Sequence, residues 1–247
     1  MVEFSLRCCD VVFEQVQAVV FDKDGTLADS NEFLKMLGRR RSRLIDAQVP
    51  GVQEPLQLAF GLEEGGINPS GLLAVGTRQE NEIAAAAYVA ETGRGWVESL
   101  KIAASAFAEA DSYLLRKAEN TPLFEGALAC LQRLANARVP LALLSADTSA
   151  HVKDFVEFNQ LGPYFQALVG SDGNVGKRDP ELLRQLCAQL EVPCESILVI
   201  GDSPLDIAIA QAVNAVGCVG VTWGWGTAEH LKEADALVDC FDQISLL

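Results

Sequence analysis

Two carboxylates, Asp22 and Asp24, follow an apolar run in the segment "VQAVVFDKDGTLADS", which covers residues 16–30. The run has the composition of a strand covered on both faces of a sheet, where its side chains would be out of water. Carboxylates at the end of such a strand must be solvated or held by a cation. The pair is therefore a candidate for chemistry assisted by a cation.

Other polar residues follow the later apolar runs of the chain or lie in loops after them: Ser145, Lys177, Asp202 and Asp206. Taken singly, each has an ordinary structural explanation as a turn residue, a solvated charge or a helix cap. Ligands of an open parallel sheet bind at the carboxyl ends of its strands. We therefore expect these side chains to converge with Asp22 and Asp24 on one spot.

The elements that would position these residues follow from the pattern of apolar runs. Buried strands are predicted at 16–21, 141–144, 167–169, 197–200, 218–221 and 236–238. Helical patterns separate the later runs, at 126–136, 180–190 and 204–213. This alternation predicts an α/β fold with a Rossmann-like parallel sheet covered by helices. Residues 1–15 are expected to add a strand at the edge of that sheet.

The segment 31–119 differs, because it contains helical patterns and no convincing strand. The predicted helices cover 31–48, 53–62, 78–91 and 95–118. An all-helical block inserted after the first strand predicts a cap domain at 31–119 and a core domain formed by 1–30 and 120–247.

Two arginines of the predicted cap are candidates for substrate binding. Arg41 falls within the apolar stripe of the first cap helix, so its side chain is expected to point inward. It would then reach the cleft and bind a second anionic group of the substrate, although a paired or snorkelling arginine is an alternative. Arg78 is a second candidate of the same kind.

The composition limits the partners and the compartment. The formal net charge of −15 argues against nucleic acid or an anionic membrane as a partner, and an anionic substrate would need a local positive site. The chain has seven cysteines, which is an odd number, and they show no metal-ligand spacing. We therefore expect free thiols in a reducing compartment. The N-terminus lacks the pattern of a secretory signal, and no apolar run is long enough to span a bilayer. We expect a cytoplasmic protein.

The segments that carry the candidate catalytic residues together resemble the four motifs of the haloacid dehalogenase superfamily, mainly its phosphatase branch. The stretch "FDKDGTLADS" resembles the first motif, with Asp22 at the nucleophile position and Asp24 at the acid/base position. The other three motifs fall on Ser145, on Lys177, and on the pair Asp202 and Asp206. The stretch "VGVTWGWGT" at 219–227 is similar to a segment of phosphoglycolate-phosphatase-like members.

The resemblance implies a Mg²⁺-dependent hydrolysis of phosphomonoesters. Asp22 would attack phosphorus and form an acyl phosphate, and Asp24 would protonate the leaving oxygen and then activate water. Lys23, between them, is expected to point away. Lys177 and Ser145 would contact the oxygens of the transferring phosphoryl group.

The resemblance also implies a metal site made of oxygen atoms. The ligands of Mg²⁺ would be the Asp22 and Asp202 carboxylates and the backbone carbonyl of Asp24, while Asp206 would steady a bound water or Lys177. His151 and His230 flank no motif, and neither is expected near this cluster.

The carboxylate at Asp24 favours phosphomonoester hydrolysis over dehalogenation, because relatives that cleave carbon–halogen bonds usually lack it. A phosphomutase or phosphotransferase keeps the same pair of carboxylates, so that alternative stays open. A regulator that binds a phosphorylated metabolite without turning it over is a second alternative. The expected partner is a small phosphorylated metabolite, and the expected assembly is a monomer or a homodimer.

Overall fold

The computed structural model describes residues 2–113, 116–172, 176–177, 179–225 and 228–247. Its strands are β1 (Phe4–Cys8), β2 (Val11–Val16), β3 (Ala18–Phe21), β4 (Leu141–Leu144), β5 (Ala167–Val169), β6 (Ile197–Gly201), β7 (Gly217–Val221), β8 (Ala236–Val238) and β9 (Ile244–Leu246). Its α-helices are α1 (Asn31–Asp46), α2 (Gln53–Ala59), α3 (Leu72–Val75), α4 (Arg78–Glu91), α5 (Trp96–Ser112), α6 (Ala127–Asn136), α7 (Ser149–Phe158), α8 (Pro180–Leu190) and α9 (Pro204–Ala212). Short 3-10 helices cover Lys117–Asn120, Cys194–Ser196, Glu229–Leu231 and Phe241–Gln243.

The main sheet has six parallel strands in the order β5-β4-β3-β6-β7-β8. Every residue of β3, β4, β6 and β7 is buried, because separate apolar clusters cover the two faces of the sheet. This double burial explains why these strands read as continuous apolar runs rather than as alternating patterns. The predicted α/β fold with a parallel sheet is confirmed.

The first strands do not extend the main sheet, so the expectation for residues 1–15 is wrong. β1 and β2 form an antiparallel hairpin, and β1 also pairs with the C-terminal strand β9. Alternate side chains of the hairpin, including Leu6, Cys8 and Phe13, are buried in one of the two clusters that cover the main sheet. The hairpin and β9 therefore form a second, three-stranded layer on one face of the core.

The chain between β3 and β4 is helical, and we call residues 31–112 the helical insert. Its helices α1 to α5 share an apolar cluster of their own, built around Phe60 and Phe107. The helix predicted over 95–118 ends at Ser112, and Lys117 begins a 3-10 helix instead. The division into a core and a cap domain stays a prediction. Within the described ranges, no helix is both long and apolar enough to cross a membrane.

Candidate active site

Three buried carboxylates meet at the carboxyl ends of the two central strands. β3 and β6 are neighbours in parallel register, with Phe21 opposite Ile200, so the residues that follow them lie side by side. One oxygen each of Asp22, Asp202 and Asp206 lies within 4.8 Å of the others. We call these three residues the carboxylate cluster. The convergence follows from the topology, because strand ends of a parallel sheet share one edge.

The ammonium of Lys177 enters the carboxylate cluster. Lys177 Nζ lies 2.5 Å from Asp22 Oδ1 and 2.6 Å from Asp206 Oδ1, and the side chain is almost fully buried. Burial alone would lower the pKa of Lys177, but the Asp206 and Asp22 carboxylates overcome it and hold that pKa well above its usual value. Lys177 is therefore a fixed positive charge beside the proposed nucleophile.

The carboxylate cluster carries more negative charge than Lys177 can neutralise. Burial raises the pKa of Asp22 well above its usual range, and the charges of Asp206 and Asp202 add to this effect while the Lys177 ammonium opposes it. Burial and the charge of Asp206 raise the pKa of Asp202 to about 6. Buried oxygens with uncompensated charge are what a hard divalent cation binds. The donor set therefore fits Mg²⁺, with Asp22, Asp202 and Asp206 as the nearby carboxylates.

Several residues that contact Asp202 were not predicted from the sequence. The Thr26 hydroxyl donates to Asp202 Oδ1 at 2.8 Å, and the Trp225 indole N–H donates to the other oxygen. His230 Nε2 lies 2.8 Å from the Asp202 backbone carbonyl oxygen, so the expectation that no histidine lies near the cluster is wrong for His230. Thr26 could have been noticed, because it lies next to Gly25 in the loop after β3. His230 comes from a 3-10 helix distant in sequence, and no motif indicated it.

The Asp24 carboxylate is held by two lysines. Lys23 Nζ lies 2.6 Å from Asp24 Oδ1, and Lys117 Nζ lies 2.9 Å from Asp24 Oδ2. Both ammoniums also contact Asp147 Oδ2, at 2.9 Å and 2.7 Å. We call Lys23, Asp24, Lys117 and Asp147 the lysine–aspartate cluster. The expectation that Lys23 points away is wrong. Its side chain is buried, so its ammonium pairs with the Asp24 and Asp147 carboxylates instead of with water.

Asp147 is the anchor of the lysine–aspartate cluster. Burial alone would raise the pKa of Asp147, but the Lys117 and Lys23 ammoniums overcome it and hold that pKa well below its usual range. The Asp147 backbone N–H donates to the Ser145 hydroxyl at 3.1 Å. Ser145 therefore stabilises the turn that presents Asp147, and its predicted contact with a phosphoryl oxygen stays a prediction.

A pocket of about 630 Å³ lies between the helical insert and this edge of the sheet. Asp24, Lys117 and Asp147 line it from the sheet side, and Arg41 and Arg78 line it from the insert. His151 also lines the pocket, with Nδ1 4.0 Å from Asp147 Oδ1 of the lysine–aspartate cluster. The carboxylate proposed as acid and base thus faces the space where a leaving group would lie.

The two candidate arginines meet at one carboxylate of the insert. Arg41 Nη2 lies 3.1 Å from Asp111 Oδ1, and its guanidinium lies 4.3 Å from the centroid of the Phe107 ring. Arg78 Nε lies 2.8 Å from Asp111 Oδ2, and Arg78 Nη1 lies 2.7 Å from Glu82. Arg41 points inward as predicted and is only 5% exposed. Both arginines are paired, and their role in substrate binding stays a prediction.

Comparisons with known proteins found a matching family and similar proteins. A family model described as haloacid dehalogenase-like hydrolase matches residues 16–214. A phosphoglycolate phosphatase of Yersinia pseudotuberculosis is 27% identical over 235 residues, which cover 93% of this chain and 90% of the relative. The tyrosine-protein kinase PtkA of Mycobacterium bovis is 27% identical over 228 residues, which cover 91% of this chain and 68% of that protein.

A solved structure supports the fold. The crystal structure of a predicted phosphatase from Clostridium acetobutylicum aligns with a TM-score of 0.66 at 22% identity and covers 92% of this chain and 95% of its own. These findings confirm the resemblance inferred from the four motifs, the fold class, and the prediction of a phosphoric monoester hydrolase.

Proposed function

Because the chain belongs to the haloacid dehalogenase-like hydrolases, we propose that it is a Mg²⁺-dependent phosphatase that hydrolyses a small organic phosphomonoester through an aspartyl phosphate on Asp22. One observation carries the proposal. Asp22 Oδ1 lies 2.5 Å from the Lys177 ammonium within a buried carboxylate cluster, and Asp24 faces a pocket two residues further on.

The first half of the reaction transfers the phosphoryl group to the protein. An Asp22 oxygen attacks phosphorus while the bond from phosphorus to the leaving oxygen breaks, and Asp24 gives its proton to that oxygen. Lys177 neutralises charge on the phosphoryl oxygens. The second half regenerates Asp22, because Asp24 takes a proton from a water that attacks the phosphorus of the acyl phosphate. Phosphate leaves, and both carboxylates return to their initial states.

The carboxylate cluster is the proposed metal site. Asp22, Asp202 and the Asp24 carbonyl would hold Mg²⁺, and Asp206, at 2.6 Å from Lys177, would steady that lysine or a bound water. When bound, the ion supplies positive charge that offsets the repulsion between the carboxylates and a phosphate dianion. The Thr26 and Trp225 donors hold the Asp202 carboxylate in one orientation.

The helical insert is the proposed cap. It covers the pocket above Asp24, so its closure would exclude water from the acyl phosphate until the leaving group departs. The proposed compartment is the cytoplasm, which the seven free thiols support. Monomer and homodimer both remain predictions.

The test is phosphate release from a panel of monoesters that includes phosphoglycolate, sugar phosphates and nucleotides, with and without Mg²⁺. The name of the Yersinia relative is the reason for including phosphoglycolate. Metal-dependent turnover that is lost in Asp22→Asn is the expected result. No turnover of any monoester by folded protein would reject the proposal.

The second candidate is phosphoryl transfer to an acceptor alcohol instead of to water. It is favoured by the similarity to a protein named as a tyrosine kinase. The same acyl phosphate would then react with an acceptor alcohol. Recovery of inorganic phosphate in equal amount to substrate consumed distinguishes hydrolysis from transfer. A regulator without turnover would bind metabolite equally well with and without Asp22→Asn and release no phosphate.

A further inference from the structure

The pocket above Asp24 has an apolar wall. The wall comes from the helical insert and consists of Phe33, Leu34, Leu37, Leu73 and Ala74. Helix α1 supplies three of these side chains, and the short helix α3 supplies the other two. Because the wall and Asp24 line the same pocket, the carbon body of a leaving group would lie against the wall.

The charged side chains of the pocket are paired with one another. Its described lysine and arginine side chains are Arg41, Arg78, Arg116 and Lys117. Its described carboxylates are Asp24, Asp111, Asp147 and Asp154. Arg116 Nη2 lies 2.6 Å from Asp154, and the other three cations make the pairs described above. Among the described residues, every lysine and arginine of the pocket has a carboxylate partner.

From these two observations we propose that the preferred substrate has an uncharged leaving alcohol with an apolar carbon body, rather than a small phosphorylated acid. The inference rests on the proposed phosphatase function. A carboxylate on the leaving group would lose its hydration in this pocket and would lie close to Asp24 and Asp147. It would also compete with the carboxylates that already partner each described lysine and arginine of the pocket.

The volume of the pocket supports the same conclusion. A cavity of about 630 Å³ lies in the range that encloses ligands much larger than a two-carbon acid. Such an acid would leave the wall of Phe33, Leu34 and Leu37 uncovered. An alkyl chain of several carbons would cover it and remove its apolar surface from water.

The test uses matched pairs of esters in the presence of Mg²⁺. Hexyl phosphate is compared with the same chain ending in a carboxylate, and ethyl phosphate is compared with phosphoglycolate. We expect kcat/KM for each neutral ester to exceed that of its acid partner by about tenfold or more. We also expect hexyl phosphate to exceed ethyl phosphate. Equal values, or a preference for the acids, would overturn the inference.

Two variants test the electrostatic cause. Ala74→Lys adds a cation to a half-buried position of the wall, and Ala74→Met adds similar length without charge. The first should lower the neutral-to-acid ratio about fivefold or more, and the second should preserve it. Asp111→Asn removes the shared partner of Arg41 and Arg78, so it should also shift the preference towards the acid. Unchanged ratios in folded Ala74→Lys and Asp111→Asn would overturn the inference.

The design separates this inference from the proposed function. If no ester, including an activated aryl phosphate, is turned over, the phosphatase proposal fails. Binding of the same four esters, measured by calorimetry, then decides the inference alone. Tighter binding of hexyl phosphate than of its acid partner supports it, and the reverse order rejects it.

Discussion

The Lys117 ammonium lies 2.9 Å from Asp24 Oδ2, so a residue between the helical insert and the sheet contacts the carboxylate proposed as acid and base. Lys117 begins the 3-10 helix that follows the insert, and its ammonium also lies 5.7 Å from the centroid of the Phe33 ring in α1. A movement of the insert would therefore shift Lys117 and, with it, the Asp24 carboxylate. This contact links the position of the proposed cap to the orientation of the acid.

Lys117→Met should lower kcat by roughly tenfold while KM changes little, because Asp24 loses one of the two ammoniums that orient it. Lys153→Met, on the exposed face of α7, is the matched control and should have wild-type kinetics. Steady-state kinetics on the best ester of the panel check this. A change in KM alone would contradict a positioning role for Lys117.

Lys23→Met should destabilise the fold by about 3 to 5 kcal/mol, because it leaves Asp24 and Asp147 short of a buried partner. Lys23 is 1% exposed and also lies 5.2 Å from the centroid of the Phe155 ring. Urea unfolding measures the loss. Lys35→Met, which removes a pair with the exposed Glu32, is the control and should change stability little.

Gly25→Ala should abolish activity, because its φ is +83° and an added Cβ would collide with the Asp202 carboxylate and the Trp225 indole. Gly51→Ala is a matched control, since φ is +99° there and the added Cβ meets open space. The control should cost roughly 1 to 2 kcal/mol of stability and leave activity intact. Equal activity in both variants would show that the close approach to Asp202 is unimportant.

The stabilising effect of Asp147 should depend on pH. Because the folded-state pKa of Asp147 is held below its unfolded value, the stabilisation is complete above about pH 4 and is lost as the pH falls towards the folded pKa. The difference in unfolding free energy between wild type and Asp147→Asn should shrink by roughly 1.4 kcal/mol per pH unit below that point. Urea unfolding at pH 6, 4 and 3 measures it, and a constant difference would contradict it.

The residues that follow strands were the predictable part of this molecule. Asp22 and Asp202 lie together because β3 and β6 are parallel neighbours, and fully buried strands are visible as apolar runs. The placement of Lys177 could be expected for the same reason, since its loop precedes a helix at the same edge of the sheet.

The residues that come from loops distant in sequence could not be predicted. Lys117 contacts Asp24 across 93 positions of the sequence, and no motif indicates it. His230 reaches the Asp202 carbonyl from a 3-10 helix that has no sequence signature. The pairing of β1 with β9 joins the two ends of the chain, and no local pattern indicates which strands will pair at that distance.

The measurement that tests the central claim most directly is the location of the phosphoryl group during turnover. Asp24→Asn should slow the attack of water on the acyl phosphate. A substrate with an activated leaving group does not need the acid for the first half of the reaction. This variant should therefore accumulate the intermediate when it is mixed with Mg²⁺ and such a substrate. Peptide mass spectrometry is expected to find the added phosphoryl group on Asp22 and to find none in the double variant with Asp22→Asn. Phosphate release at the wild-type rate by Asp22→Asn, or a phosphoryl group on another residue, would contradict the account.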